Sequence, residues 1–100
     1  MRKVIEGKRY DTETAEQVAS TSYANYTERT YWSEELYRTK KGNWFLYGEG
    51  GDLSKYARSA IIPLTRVKAM SWLEVHTTGS EAIENYFADV IDDVWKRGVK

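Results

Sequence analysis

Residues 34–51, EELYRTKKGNWFLYGEGG, decide the fold that the sequence predicts. Residues 36–37 and 44–47 are aromatic and aliphatic types, which suit a pleated, half-buried surface. Between them lie residues 40–43, a polar segment whose Gly and Asn tolerate positive φ. Two such runs around a short turn that contains glycine predict a β-hairpin. The glycines at 48–51 are expected to end its second strand.

Both faces of this predicted hairpin carry apolar side chains. Because side chains alternate between the faces of a strand, Trp44 and Leu46 lie opposite Phe45 and Tyr47. A sheet that is apolar on both sides needs cover on both, or it leaves one face for a partner. The sequence leaves open which face that is.

The rest of the chain predicts three helices. Thr12, or the aspartate before it, is a good N-cap for a short helix over residues 12–20. Thr65 can cap a second helix over residues 65–75. Apolar residues at i, i+3, i+4 and i+7 spacing predict a last helix over residues 81–97.

These elements predict one α+β domain over residues 1–100. A small antiparallel sheet is built on the central hairpin and packs against the two C-terminal helices, with a short N-terminal helix beside it. Residues 3–10 and 60–62 add strands, the latter at an edge because Pro63 follows. The predicted core consists of Leu36, Trp44, Leu46, Trp72, Leu73, Ile83, Phe87, Val90 and Val94.

Composition excludes several classes of protein. The chain has 15 basic and 15 acidic residues, so it lacks the strongly basic character of most nucleic-acid binders. It has no cysteine, which rules out disulfides and thiolate metal sites. The N-terminus lacks the apolar segment of a secretory signal, and no apolar run is long enough to span a membrane. We expect a soluble, cytoplasmic protein without a cofactor.

Catalytic residues are not expected. His76 is the single histidine, and a histidine base needs a nucleophile or substrate within reach and an orienting acid. Its position near a helix end favours interaction with the helix dipole. No Gly-x-Ser-x-Gly motif occurs, and Asp52 after the glycines would repel a phosphate.

Two surfaces are candidates for binding a partner. At the hairpin tip, Arg38, Lys40 and Lys41 lie near Tyr37 and Tyr47, and cations interleaved with rings can contact phosphates while stacking bases. The alternative is that the lysines solvate a turn and protect a sheet edge.

The second candidate surface is acidic. Asp89, Asp92 and Asp93 share one face of the predicted last helix. Such a face can be simply solvated, can hold a hard cation, or can mimic phosphates in the basic groove of a partner. The absence of a glycine-containing calcium loop disfavours a metal site.

Several segments resemble a family of short proteins from phages and integrative elements of gut Firmicutes. They are residues 7–16 (GKRYDTETAE), 35–42 (ELYRTKKG), 45–51 (FLYGEGG), 62–65 (IPLT) and 72–74 (WLE). The resemblance covers roughly half the chain and implies no enzyme activity. It implies a setting among accessory genes of mobile elements, where inhibitors of host defence are common.

The leading expectation is therefore a non-enzymatic module that binds and inhibits or modulates a host protein, such as a CRISPR-type defence complex. The alternative is a small nucleic-acid-binding protein that uses the basic, aromatic hairpin.

Overall fold

A computed structural model describes residues 1–77 and 81–91 of the chain. The strands are β1 (Arg2–Ile5), β2 (Lys8–Asp11), β3 (Glu16–Tyr23), β4 (Trp32–Arg38), β5 (Trp44–Gly50) and β6 (Ala60–Leu64). The helices are α1 (Arg66–His76) and α2 (Glu81–Phe87), and a short 3₁₀ helix, Ala88–Val90, follows α2.

The hairpin β4–β5 is the centre of the main sheet. Four antiparallel strands lie in the order β3-β4-β5-β6, and Leu36 is paired with Leu46. Gly42 closes the hairpin turn at φ 89°, a conformation that costs glycine little. The prediction of an α+β fold, with two C-terminal helices on a sheet built on this hairpin, is confirmed.

We call the sheet surface that α1 and α2 cover the closed face. Thr65 caps α1 as predicted, since its side-chain oxygen accepts a hydrogen bond from the Lys68 N–H at 3.1 Å. The buried core beneath the helices consists of Leu36, Trp44, Leu46, Ala69, Trp72, Leu73 and Phe87. Ile83 packs against this core and is partly buried, so most of the predicted core is confirmed.

Val90 does not belong to that core, because 49% of it is exposed. The α-helix ends at Phe87 and the chain continues as a 3₁₀ helix. The three-residue turn of a 3₁₀ helix changes which side chains face the sheet. The predicted helix over 81–97 is therefore confirmed only as far as Phe87, and Val94 lies outside the described residues.

The opposite surface of the sheet is partly covered by the hairpin β1–β2. Tyr10 meets Phe45 edge to face, with ring centroids 5.4 Å apart. Phe45 stacks on Tyr37, and Ile61 completes this second buried cluster. Residues 3–10 thus form a separate two-stranded sheet that packs on the main one, and the prediction that they join it is wrong.

The predicted N-terminal helix over 12–20 is also wrong. Its cap forms a turn, in which the Asp11 carboxylate accepts from the Glu13 N–H at 2.9 Å, but β3 begins at Glu16. Hydrogen bonds to β4 satisfy the backbone N–H and C=O groups of these residues, whereas so short a helix would be only marginally stable. A β-bulge between Gln17 and Ala19 directs both Val18 and Ala19 toward the core beneath the helices. Two adjacent apolar residues on one side of the strand resemble the apolar spacing of a helix in the sequence.

The glycines after the hairpin do not end β5, which continues to Gly50. A Cβ at Gly48 would overlap the ring of Tyr56, and one at Gly50 would overlap Ser54 and the Tyr31 backbone. Close packing of residues 54–56 and of the Tyr31 backbone against β5 is the reason for these glycines.

Candidate functional site

Glu34 is the buried charge of the closed face. Its carboxylate accepts a hydrogen bond from Trp72 Nε1 at 2.8 Å and from the Tyr56 hydroxyl at 2.6 Å. Lys55 Nζ lies 3.0 Å from the same carboxylate and 4.0 Å from the centre of the Trp32 ring. Each polar atom that is buried here has a partner.

The pKa of Glu34 reflects this environment. Burial raises the pKa of the carboxyl, but the hydrogen bonds from Trp72, Tyr56 and Lys55, together with the charge of Lys55, outweigh burial and hold it below its ordinary value. Glu34 is therefore an ionised carboxylate that three donors hold beneath a helix. Such a group fixes the position of α1 and the 51–59 segment, because its donors come from both.

The next residue belongs to the other surface, which we call the tyrosine–glutamate face: Glu35, Tyr37, Tyr47 and Glu49. The Tyr37 hydroxyl donates to Glu35 at 2.9 Å, and the Tyr47 hydroxyl donates to Glu49 at 2.9 Å. In the described part of the chain, both helices pack on the closed face, and the β1–β2 hairpin packs at the Phe45 end of this one. Glu49 is exposed and Glu35 is half-buried.

Both phenols of this face keep their protons. Burial and the hydrogen bond to Glu35 raise the pKa of Tyr37 to about 12. A hydrogen bond with Ser59 lowers the pKa of Tyr47, but burial and Glu49 outweigh it, so the net shift is upward. The face thus presents two carboxylates, each held by a protonated tyrosine.

A basic cleft lies where the turn of β1–β2 approaches the turn of β4–β5. Its volume is about 630 Å³, and its charged lining is Lys8, Arg9, Lys40 and Lys41. All four cations are exposed. The rest of the described lining is Val4, Gly7, Thr14, Thr39 and Asn43, which contains no acid.

In the part of the chain that the structure describes, three cations elsewhere in the fold are held in ion pairs, and the cleft cations are not. Arg29, Lys55 and Arg66 each form an ion pair with an aspartate or glutamate. Within residues 1–77 and 81–91, no acid forms an ion pair with any of the four cleft cations. Their charge is therefore available to a ligand.

The structure separates the residues predicted at the hairpin tip. Lys40 and Lys41 line the cleft, whereas Arg38 points to the closed face, its guanidinium 5.9 Å from the Trp44 ring and 5.6 Å from the Tyr86 ring. Tyr37 is 7% exposed and Trp44 is 3% exposed. Bases have no free ring face to stack on at either residue.

Asp89, from the predicted acidic surface, lies in the 3₁₀ helix and binds Arg66 with both carboxylate oxygens, at 2.6 and 3.0 Å. That hydrogen bonding holds the pKa of the Asp89 carboxyl below its ordinary value. Asp92 and Asp93 lie outside the described residues.

Sequence reasoning missed Lys8 and Arg9 as members of a site. Glu6 and Gly7 have φ of 53° and 78°, which is typical of a two-residue hairpin turn. The Glu-Gly pair between Val4-Ile5 and Lys8-Arg9-Tyr10 signalled that turn. No local signal indicates where the hairpin docks, because docking depends on the contact of Tyr10 with Phe45.

A smaller pocket of about 300 Å³ lies between α1 and the end of α2, and its lining includes Met70 and Phe87. His76 lies against the Trp72 ring, with centroids 4.9 Å apart. No group of three or more potential metal ligands occurs in residues 1–77 and 81–91. Within the same residues, no helix has the length and apolar character to cross a membrane.

No family model, no curated protein and no solved structure matches the chain.

Proposed function

We propose that the protein is a non-enzymatic interaction module that binds a host protein through its tyrosine–glutamate face and inhibits or modulates that protein. The observation that carries this proposal is the pair of hydrogen-bonded Tyr–Glu units, Tyr37–Glu35 and Tyr47–Glu49, on the sheet surface opposite the helices. Tyr37 is buried and holds Glu35 in place from beneath, whereas Tyr47 is half-buried at the surface. Tyrosine is enriched at protein interfaces because it combines a large apolar area with a polar tip.

The rigidity of this surface supports the proposal. Tyr37 is stacked on Phe45 with centroids 5.1 Å apart, and its hydroxyl is bonded to Glu35. A surface that is ordered before binding loses little side-chain entropy when a partner docks. Strands β4 and β5, which carry the four side chains, are the two central strands of the sheet.

The partner that fits is a protein with a basic contact surface. Glu35 and Glu49 give the face a negative charge, and complementary charge orients a partner and speeds association. Proteins that handle nucleic acid have such basic surfaces. The resemblance to proteins of mobile elements favours a host defence complex as the partner, of which a CRISPR-type effector is one example, and such a complex would be met in the cytoplasm.

Affinity capture from a lysate of a gut Firmicute tests the proposal. The bait variants are Glu35→Lys/Glu49→Lys and, as a control with the same change of net charge, Glu28→Lys/Glu74→Lys, whose exposed acids lie elsewhere. The wild type and the control are expected to retain a basic host protein. The face variant is expected to bind that protein at least about tenfold more weakly, a change of about 1.4 kcal/mol in binding free energy.

Far-UV circular dichroism and urea unfolding establish that each bait is folded. Capture of the same proteins at the same level by all three baits would contradict the proposal, as would loss of the host protein from the control and the face variant alike.

A further inference from the structure

We infer that the basic cleft is a second binding site and that its ligand is the phosphodiester backbone of duplex nucleic acid. The site comprises Lys8 and Arg9 from one hairpin and Lys40 and Lys41 from the other. The site uses none of the side chains of the tyrosine–glutamate face, so this inference can be tested independently of the proposed function.

Charge focused in a concave site is the first argument. Four cations converge on a cleft of about 630 Å³ whose described lining holds no acid. A cleft that is lined by charge of one sign concentrates its field and raises the local concentration of opposite charges. The overall net charge of zero conceals this local excess, because acids elsewhere in the chain balance the four cations of the cleft.

The polar lining is the second argument. Thr14, Thr39 and Asn43 lie among the cations, and hydroxyl and amide groups of this kind commonly donate to phosphate oxygens. Together with the lysines they provide donors for several neighbouring phosphates. Such contacts position a nucleic acid without reading its sequence.

The absence of rings decides between duplex and single strand. No aromatic side chain is among the described residues that line the cleft. Proteins that bind single strands combine a basic groove with aromatic side chains on which bases stack. A duplex keeps its bases stacked on one another and offers phosphates alone, which matches the lining.

An acidic protein is the competing ligand, and the lining disfavours it. Protein interfaces depend on a few large anchors, mainly Trp, Tyr and Arg, that fill pockets on the partner or receive such groups. The cleft has Val4 as its one aliphatic side chain in the described lining and is open to solvent. Arg9 is the one residue of an anchor type among the described residues of this lining, and without a Trp or Tyr beside it the cleft offers charge and little apolar area.

Fluorescence anisotropy with short labelled probes tests the inference. The probes are a DNA duplex, an RNA duplex, a single strand and polyglutamate. Duplex binding through about four phosphates predicts a slope of about −3.6 for log K against log salt, and a loss of affinity of about 100-fold between 50 and 200 mM salt. The two duplexes distinguish DNA from RNA as the source of the backbone.

The variants identify the cleft as the site. Lys40→Gln/Lys41→Gln and Lys8→Gln/Arg9→Gln are each expected to reduce the magnitude of the salt slope by about 2. The control Arg58→Gln/Lys68→Gln removes two exposed cations outside the cleft. It keeps all four contacts between the cleft and the phosphates. Its slope is expected to stay within about 0.5 of the wild-type slope.

Several results would overturn the inference. They are the absence of duplex binding at low salt, tighter binding of polyglutamate or of the single strand than of either duplex, and equal slopes for the cleft variants and the control. Both cleft pairs are exposed, and circular dichroism of each variant shows whether a lost affinity comes from misfolding.

Discussion

Glu34 and Glu35 are consecutive residues on β4 with opposite surroundings. Glu34 is 5% exposed on the closed face and is bonded to Trp72, Tyr56 and Lys55. Glu35 is half-buried on the tyrosine–glutamate face and accepts from one tyrosine hydroxyl. A strand sends neighbouring side chains to opposite faces, so two identical residues acquire different roles.

The difference shows that the two faces of this small sheet have different roles. Partners that come from α1 and from residues 55–56 surround Glu34, so its contacts hold the tertiary structure together. The hydrogen-bond partner of Glu35 is Tyr37, two residues away on its own strand. Contacts within one strand add little to the fold, and they leave the carboxylate at a surface where a partner can reach it.

The largest expected effect is on the closed face. Phe87 is completely buried and stacks on Trp44 with centroids 5.1 Å apart. Phe87→Ala should lower the free energy of unfolding by about 3–5 kcal/mol, as measured by urea denaturation. A loss under about 1 kcal/mol would show that α2 does not pack on the sheet as described.

Gly48 and Glu49 extend the comparison to β5. Gly48→Ala places a Cβ against the Tyr56 ring, which should cost about 1–3 kcal/mol in the free energy of unfolding because the core is overpacked. Glu49→Ala, one residue along on the other face, should change it by less than about 0.5 kcal/mol. Equal effects in thermal or urea unfolding would argue against the close contact of Gly48 with Tyr56.

The pH dependence of stability distinguishes the closed face further. Because the folded-state pKa of Glu34 is held below its ordinary value, the unfolded chain binds more protons at moderately acidic pH. The contribution of Glu34 is fully present above that ordinary value, 4.5, and it is lost as the pH falls through the folded-state pKa.

The matched variant for this prediction is Glu34→Gln, which has no titrating group. When the pH is lowered from 7 to 3, the free energy of unfolding measured in urea should fall more for the wild type than for the variant. Parallel pH profiles for the two proteins would contradict a depressed pKa at Glu34.

The smallest expected effect is on the tyrosine–glutamate face. Burial and Glu35 raise the pKa of Tyr37 to about 12. In Glu35→Gln the charge is removed, so the Tyr37 phenol should ionise at lower pH, with the free energy of unfolding at pH 7 changed by less than about 0.5 kcal/mol. Absorbance of phenolate on titration measures the shift, and an unchanged titration would show that Glu35 does not contact Tyr37.

Much of this arrangement follows from local pattern. The strand residues around Lys40–Gly42 predict the central hairpin, and Thr65 predicts the start of α1, because turn and cap chemistry act over a few residues. The N-terminal helix was wrong because the bulge near Val18 imitates helical spacing, and sequence does not show that β4 is available as a partner for that strand.

The candidate sites were predicted less completely than the fold. Lys40 and Lys41 were recognised as a basic pair, but their cleft exists only because Tyr10 docks the first hairpin on Phe45. Arg38 was assigned to the same surface, although strand alternation already places it with Leu36 on the closed face. The cleft could not be predicted because it depends on long-range docking. The position of Arg38, by contrast, could have been predicted from the alternation of side chains along the strand.

The most direct test of the division between the two faces compares Glu34→Ala with Glu35→Ala in urea denaturation at pH 7. Glu34→Ala leaves the Trp72 N–H and the Tyr56 hydroxyl without their acceptor, so the free energy of unfolding should fall by about 2–4 kcal/mol. Glu35→Ala should lower it by less than about 0.5 kcal/mol. Equal losses for the two variants, or a larger loss for Glu35→Ala, would contradict the account.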